Sequence, residues 1–536
     1  MANALIRPMS GEYEEYLRDE SRSVGKAESI SFPRTTEDVS SILKEMYEKK
    51  IPVTVQGSRT GLAAAAVPYE GHAMNLSRMD KVLSCRQDEQ TGTFYFTLQP
   101  GVLLSELRKM ISGKRFQTAD WTEEAKAAYT SFCRAPEQFF TPDPTETSAS
   151  LGGMVNCNAS GARSFHYGSV RGYINGLKVV LMDGETLTLR RGEQFAQERE
   201  GTLRTDSGKE IHFTLPSYQM SHTKNASGYY AEDNMDLIDL FIGSDGTLGV
   251  TCEIEIRLLP LPQIIWGVTA FFDQEEKALR YVRLIRGEQL EGCDRFDIHP
   301  VSAEFFNGDA LEILRREKRE NSAFAQIHDI PQQYETAIYV ELHGDTEEDM
   351  TNRLLELGKA IQQAGGKEED TWVARSQTDL DRLMFFRHAI PECVNMLIDQ
   401  RKKKNKEITK LGTDMAVPDA ALEETMAMYN TMLKERGLQS AIWGHVGNNH
   451  LHVNILPNNS EEYRKGKELY NDWAAKITAK GGAVSAEHGV GKLKAGFLKV
   501  MYGEKHIGEM RQLKKAFDPQ NLLNRGNLFA PEEENK

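Results

Sequence analysis

TPDPTETSASLGGMVNCNASGAR, residues 141–163, is a run of small residues that leads into LKVVLMDGETLTL, residues 177–189. The second segment places Asp183-Gly184 between two β-rich runs, a strong hairpin signal. Two further stretches share this build. PVTVQ (52–56) reads as a strand and runs into Gly57-Ser58-Arg59-Thr60-Gly61-Leu62 and four alanines. IGSDGTLGVTCEIEIRLLP (242–260) sets Gly243, Gly246 and Gly249 before a half-buried strand, where Cys252, Ile254, Ile256 and Leu258 alternate with Glu253, Glu255 and Arg257. A backbone free of bulky side chains approaches a diphosphate closely and offers it N–H groups. No G-x-G-x-x-G follows a strand, which removes the Rossmann reading. Gly489-Val490-Gly491-Lys492-Leu493 is not a P-loop, because Ala486 replaces the first glycine and Leu493 the Ser/Thr.

Upstream, Thr35 is a good N-cap, and Val39, Ile42, Leu43 and Met46 fall at helical spacing. Downstream, Pro260 and Pro262 mark a boundary. Beyond it IIWGVTAFF reads as strand, EKALRYVRLIR as helix and DRFDI as strand; after a polar helical insert, AIYVEL, TEEDMTNRLLELGKAI and TWVAR repeat the order. Two β-α-β units in tandem predict an antiparallel sheet with helices on one face. MRQLKKAF is a helix stopped by Asp518-Pro519.

The 536 residues allow two to four domains. With 65 basic against 79 acidic residues, net −14, a nucleic-acid-binding face is not expected. The run RKKKNK (401–406) reads as a solvated loop. The amino-terminal stretch lacks the basic and apolar regions of a signal peptide, and no apolar run is long enough to span a membrane. Six scattered cysteines without a C-x-x-C pair argue against an iron–sulfur cluster and fit the cytoplasm.

The histidines concentrate in WGHVGNNHLHVNILP (443–457). Leu451, Val453 and Ile455 alternate with His450, His452 and Asn454, so this is a strand with His450, His452 and Asn454 on one face. His445 precedes His452 by seven residues on a glycine-flanked turn. In GGAVSAEHGVG (481–491) a short apolar strand ends at Glu487-His488 between glycines. Two histidines and a carboxylate form a normal divalent-metal shell, so His445, His452 and Glu487 are candidate ligands and His488 a free base.

These stretches together resemble the FAD-linked oxidases with a vanillyl-alcohol-oxidase (PCMH)-type flavin domain. The likeness is nearest to the glycolate oxidase, D-lactate dehydrogenase and D-2-hydroxyglutarate dehydrogenase branch. It runs from about Phe32 to Phe529 and rests on 141–171, 242–260, GHVGNNHLHVNI, SAEHGVGKLK and DPQNLLNRGNL. It implies an α+β fold: a two-subdomain PCMH-type FAD-binding domain over 1–262, a ferredoxin-like antiparallel substrate (cap) domain with the metal site over 263–500, and a segment 501–536 that returns to the flavin domain. It implies that Gly57, Ser58, Arg59, Thr60, Gly61 and Leu62 cradle the FAD pyrophosphate. Pro142, Asp143, Gly152, Gly153, Asn158, Ala159, Ser160 and Gly161 would line the flavin, with Gly246 and Val250 closing over it. FAD is expected to be non-covalent, since the loop at 57–62 holds no His or Cys, although Cys157 and His166 lie in the second stretch. His445, His452 and Glu487 match the family's ligands for a divalent metal (Zn, Mn or Fe), and His488 matches its catalytic base. Arg387 matches the arginine that grips the substrate carboxylate, and Lys410 is the candidate for its substrate lysine. The chain departs from the family's G-H-x-G-D-G-N-L-H, with Asn448, Asn449 and His450 in place of D-G-N.

The implied reaction oxidises a D-2-hydroxy acid of the D-lactate, glycolate or 2-hydroxyglutarate class to the 2-oxo acid. Hydride goes to the flavin and the hydroxyl proton to His488. Electrons then pass to a separate acceptor: an electron-transfer flavoprotein, an iron–sulfur protein or a quinone. A homodimer is compatible with the sequence. The rival reading, a metal-dependent hydrolase on His445, His452 and Glu487, leaves the three small-residue loops unexplained.

Overall fold

The computed structural model describes residues 5–530; the start of the amino-terminal stretch read against a signal peptide and the last six residues of the C-terminal segment lie outside them. Thr35 caps the first helix through its hydroxyl, which accepts from the Asp38 N–H. Val39, Ile42, Leu43 and Met46 of Thr36–Glu48 are buried and share a core with Val53, Met74, Val180, Met182, Val250 and Cys252. This core joins two sheets. In the four-stranded one, His72–Asn75 runs parallel between Ser29–Ser31 and Val53–Gln56. In the five-stranded one, Ile174–Val180 and Thr186–Arg190 form the hairpin expected at Asp183-Gly184, and Val250–Arg257 lies beside them. The loop 57–66 therefore leaves a strand of the first sheet, and 242–249 leads into a strand of the second, with the shared core between them.

His72 sits inside this core. It is fully buried, with Nδ1 2.8 Å from Ser29 Oγ and Nε2 2.7 Å from Ser31 Oγ. Hydroxyls can donate to one ring nitrogen and accept from the other, so they satisfy a neutral imidazole. Burial pushes its pKa down to about 4. The unfolded chain therefore takes up this proton first as pH falls, and stability declines between the unfolded pKa of 6.5 and about 4. The shift corresponds to about 3 kcal/mol. His72→Gln is expected to flatten the fall of the unfolding midpoint across that window; equal slopes in the two proteins would show that the folded ring is charged.

After Pro260 the chain changes sheet. Four antiparallel strands stand in the order Trp372–Ala374, Ile264–Phe272, Thr336–Gly344 and Ser302–Phe306, the arrangement of two interlocked β-α-β units. The hairpin Ser440–His445/His450–Ile455 extends the sheet past Ser302–Phe306. Two details differ from the sequence reading. DRFDI is a loop that tucks Phe296 and Ile298 into the core, and the strand comes after it at Ser302–Phe306. Helices also cover both faces of the sheet, not one. Glu275–Ile285 and Glu347–Gln363 pack on one face, and Gly308–Glu320 with Gln377–Lys402 pack on the other. The reason lies in the strands: Ser302–Phe306 is buried at every residue and Thr336–Gly344 at all but the last, so neither side can face water.

A partly buried polar network joins this sheet to the end of the 141–163 stretch and the short helix Ser164–Tyr167. Arg163 Nε donates to Glu341 Oε1 at 2.7 Å, His343 Nε2 lies 2.9 Å from the same oxygen, and Tyr167 Oη is 2.8 Å from His343 Nδ1. Ala495–Phe517 is two helical stretches joined at a kink at Gly503, and the second ends at Asp518-Pro519 as expected. The chain then returns to the first sheet: Val53 N–H donates to Leu522 O at 2.9 Å, and Asn524 N–H to Val53 O at 2.8 Å. No described helix is long and apolar enough to cross a membrane.

Candidate active site

Two cavities meet at one loop. The first, about 300 Å³, is lined by all of Gly57–Leu62, by Gly152, Gly153, Ala159 and Ser160, and by Gly246 and Val250. A Cβ added at Gly61 would meet no atom within 4 Å, so the loop faces open space as a cradle for a ligand must. Pro142, Asp143, Asn158 and Gly161 stand behind this wall rather than in it. Pro142 O and Asp143 Oδ1 accept from Arg108, and Asn158 Oδ1 accepts from the Arg171 N–H. Gly161 permits a close approach, because a Cβ there would lie 1.7 Å from Asp143 O. These four residues shape the loop that the others line.

Sequence reasoning missed the lid of this cavity. Asn524 Oδ1 accepts from Val55 N–H at 2.8 Å while its Nδ2 donates to Gly246 O at 2.8 Å, which ties the first and third loops together. Lys492 Nζ donates to Ala65 O and Asn527 Oδ1. Asp245 accepts from the Gly491 N–H at 2.7 Å and links the third loop to the Glu487–His488 segment. Burial raises its pKa to about 6, with the two backbone N–H bonds from Gly491 and Val490 opposing. The polar residues of N-R-G-N in an otherwise apolar tail were the available signal.

The second cavity, about 550 Å³, is lined by Arg387, His388, Lys410, Glu304, His445, His452 and Asn454 among others. Glu487 and His488 line both cavities. Arg387 is buried on the helix Gln377–Lys402, with Nε 3.1 Å from Glu304 Oε2. Its two terminal nitrogens make no hydrogen bond among the described residues. Burial opposes its charge, but Glu304 outweighs burial and raises the pKa. Lys410 has no acidic partner among the described residues, and burial, with Arg22 nearby, lowers its pKa.

The hairpin builds a histidine cluster by register. His445 pairs with His450 and Trp443 with His452, so the three imidazoles share one side. One donor atom from each of His445, His450, His452 and Glu487 lies within 4.8 Å of the others. Two of the rings are oriented from behind by a hydrogen bond, as metal-binding histidines are, and the third has a carboxylate beside it. His445 Nδ1 is 2.7 Å from Glu304 Oε1, His452 Nδ1 3.0 Å from Thr413 O, and His450 Nε2 2.9 Å from Asp414 Oδ1. Burial raises the Glu304 pKa, but Arg387 and His445 outweigh it and hold the group down at about 2. Lys224, from the flavin side, pairs with Glu487 Oε2 at 2.6 Å.

Asp414 organises the loop that carries the acid and base. It accepts from the Glu487 and His488 N–H groups at 3.2 and 3.1 Å, from Ser485 Oγ at 2.8 Å, and from Lys494 Nζ. Burial opposes its charge, yet His488 and Lys494 keep its pKa well below the ordinary carboxylate value. The segment before Glu487 is not the expected strand: only Ala483 bridges to Ala416, and the rest is loop held by Asp414. Glu304, Asp414 and Lys224 were not foreseen. Glu304 does carry a signal, as a lone acid inside an apolar strand, and Asp414 is a lone acid between the short strands Leu411–Gly412 and Met415–Ala416.

Comparison with known proteins agrees with this architecture. The family description "FAD linked oxidases, C-terminal domain" matches residues 267–528, and "FAD binding domain" matches 27–124 and 130–190. The chain is 25% identical over 507 residues to the glycolate oxidase subunit GlcD of Bacillus subtilis, covering 94% of this chain and 89% of that one. It is 27% identical over 534 residues to a D-lactate dehydrogenase of Anaerostipes hadrus, covering 96% and 92%. Among solved structures it resembles the 4-ethylphenol oxidase of Gulosibacter chungangensis with a TM-score of 0.63 at 16% identity, covering 99% and 95%, a likeness of fold. The small-residue cradle, the cap sheet and these matches converge: the chain belongs to the FAD-linked oxidase family, in the branch of the glycolate oxidases and D-2-hydroxy-acid dehydrogenases.

Proposed function

We propose that this protein oxidises a D-2-hydroxy acid to the 2-oxo acid and passes the electrons to a separate acceptor. The observation that carries the reading is that Glu487 and His488 line both the flavin cavity and the cavity holding Arg387 and Lys410. Bound FAD would supply the oxidant for the C2–H bond. A divalent metal held by His445, His452 and Glu487 would make the substrate hydroxyl more acidic. The orphaned, buried Nδ1 of the neighbouring His450, 3.8 Å from Glu487 Oε2, supports the presence of such a cation.

The protein's own groups do the rest. Arg387, steadied through Nε by Glu304, presents two free nitrogens in the planar fork that suits a carboxylate. Lys410 adds a second positive charge to the same cavity. His488 accepts the hydroxyl proton. Cys157 lines the flavin cavity, but burial pushes its thiol up to about 12, which disfavours the thiolate and supports FAD held without a covalent bond. The electron acceptor is an electron-transfer flavoprotein, an iron–sulfur protein or a quinone.

The test is anaerobic bleaching of the yellow protein by paired D- and L-2-hydroxy acids, including D-lactate, glycolate and 2-hydroxyglutarate. Bleaching is expected with a D-acid or glycolate and not with the L-partner. Colour that survives the whole panel overturns the substrate class. Acid precipitation is expected to release all of the colour into the supernatant.

A further inference from the structure

His450 differs from the other two imidazoles of the cluster. It is completely buried, and neither ring nitrogen makes a well-aligned hydrogen bond. Its Nε2 lies 2.9 Å from Asp414 Oδ1 but off the hydrogen-bond line, so this side of the ring has an ionic neighbour. Its Nδ1 faces Glu487 Oε2 at 3.8 Å and has nothing else. A buried polar nitrogen left in this state is costly, so it calls for a partner.

The surrounding atoms say what is missing. Thr413 O can only accept, so His452 Nδ1 carries the proton and its Nε2, 3.6 Å from Glu487 Oε1, is a lone pair. Glu304 likewise takes the Nδ1 side of His445 and leaves Nε2 toward Glu487 at 3.4 Å. Asp414 Oδ1 occupies the Nε2 side of His450 at 2.9 Å, which leaves Nδ1 on the side of Glu487. Three imidazole nitrogens and a carboxylate thus converge as acceptors. Lys224 Nζ satisfies Glu487 and Gly161 O but hydrogen-bonds to none of the three rings.

We propose that His450 Nδ1 is a direct ligand of the metal, making a shell of three imidazoles and one carboxylate in place of two imidazoles and one carboxylate. The proposal rests on the metal reading of His445, His452 and Glu487 given above. A nitrogen-rich shell favours zinc, iron or cobalt over magnesium or calcium. Four protein donors hold the ion without help from substrate, so the metal stays bound between turnovers.

The test uses the flavin-loaded protein, stripped with a chelator and titrated with zinc alone. Zinc affinity comes from competition with a chromophoric chelator, and the number of bound imidazoles from X-ray absorption at the zinc edge. Three imidazoles are expected in the unaltered protein and two in His450→Asn, with affinity lowered more than about 100-fold, beyond what loss of an orienting partner usually costs. Retained flavin and an unchanged unfolding temperature show that the variant is folded; His450→Gln is the second choice if it is not. An unchanged imidazole count in the variant overturns the proposal. If His452→Asn loses zinc in the same series, the failure belongs to His450 alone. If the unaltered protein takes up no zinc, the metal reading itself fails, and the Lys224 ammonium is the resident cation.

Discussion

Replacing His488 by asparagine is expected to slow flavin reduction by a D-2-hydroxy acid about 10²–10⁴-fold, the usual contribution of a positioned general base. His488 is the one imidazole in the group that faces both cavities. Its side chain keeps 28% of its exposure, whereas His445, His450 and His452 keep 6%, 0% and 15%. It therefore remains more reachable by substrate than the other three, although all four imidazoles lie near Glu487. Its ring is held on two sides, with Nδ1 3.4 Å from Asp414 Oδ2 and Nε2 3.4 Å from Glu487 Oε1. Asparagine keeps a polar group of similar reach and removes the ability to hold the proton. FAD content is expected to stay whole, because the cradle at 57–62 belongs to another part of the chain. The competing explanation is that His488 only steadies Glu487. Stopped-flow reduction with and without added zinc separates the two, since recovery of the rate with zinc would assign His488 to positioning.

Much of this site is readable before folding. A single glycine and alanine run is usually a turn or tight packing, as at Gly152 and Gly249, but three of them beside strands point to the cradle. Thr35 and the apolar spacing after it define a helix from local rules alone, and Asp183-Gly184 defines a hairpin. The period-2 alternation places His450 and His452 on one face. What stays hidden depends on contacts between distant segments. Asp414 meets Glu487 and His488 across some seventy residues (|i−j| of 73 and 74), and Glu304 meets His445 across 141. No local pattern encodes those registers. DRFDI fails for a related reason: its two apolar residues satisfy the strand alternation, but the loop buries them without pairing. The polar helix Gly308–Glu320 looks like an insert until the far side of the sheet is seen to need cover, which Leu311 and Leu314 provide.

Asp414→Asn is expected to destabilise the protein by about 3–5 kcal/mol, the range for stranding one partner of a buried ion pair. Asp414 is 1% exposed, with the His450 and His488 rings beside it, and accepts from the Glu487 and His488 N–H groups, Ser485 Oγ and the Lys494 ammonium. A carboxylate accepts from all of them. An amide turns one oxygen into an NH₂ group, which then faces either Lys494 and Ser485 or the Glu487 N–H. Lys494, itself 9% exposed, loses its counter-ion in either orientation. Stability and catalysis can be pulled apart by a second change. Lys494→Met in the Asp414→Asn background removes the stranded charge and fills the space with methylenes, so most of the unfolding temperature should return. Turnover should not return, because the loop bearing Glu487 and His488 still lacks the acceptor that orders it. Recovery of both together would mean that Asp414 serves only as the counter-ion of Lys494, and that Glu487 and His488 are held by their own ion pairs with Lys224 and the imidazoles.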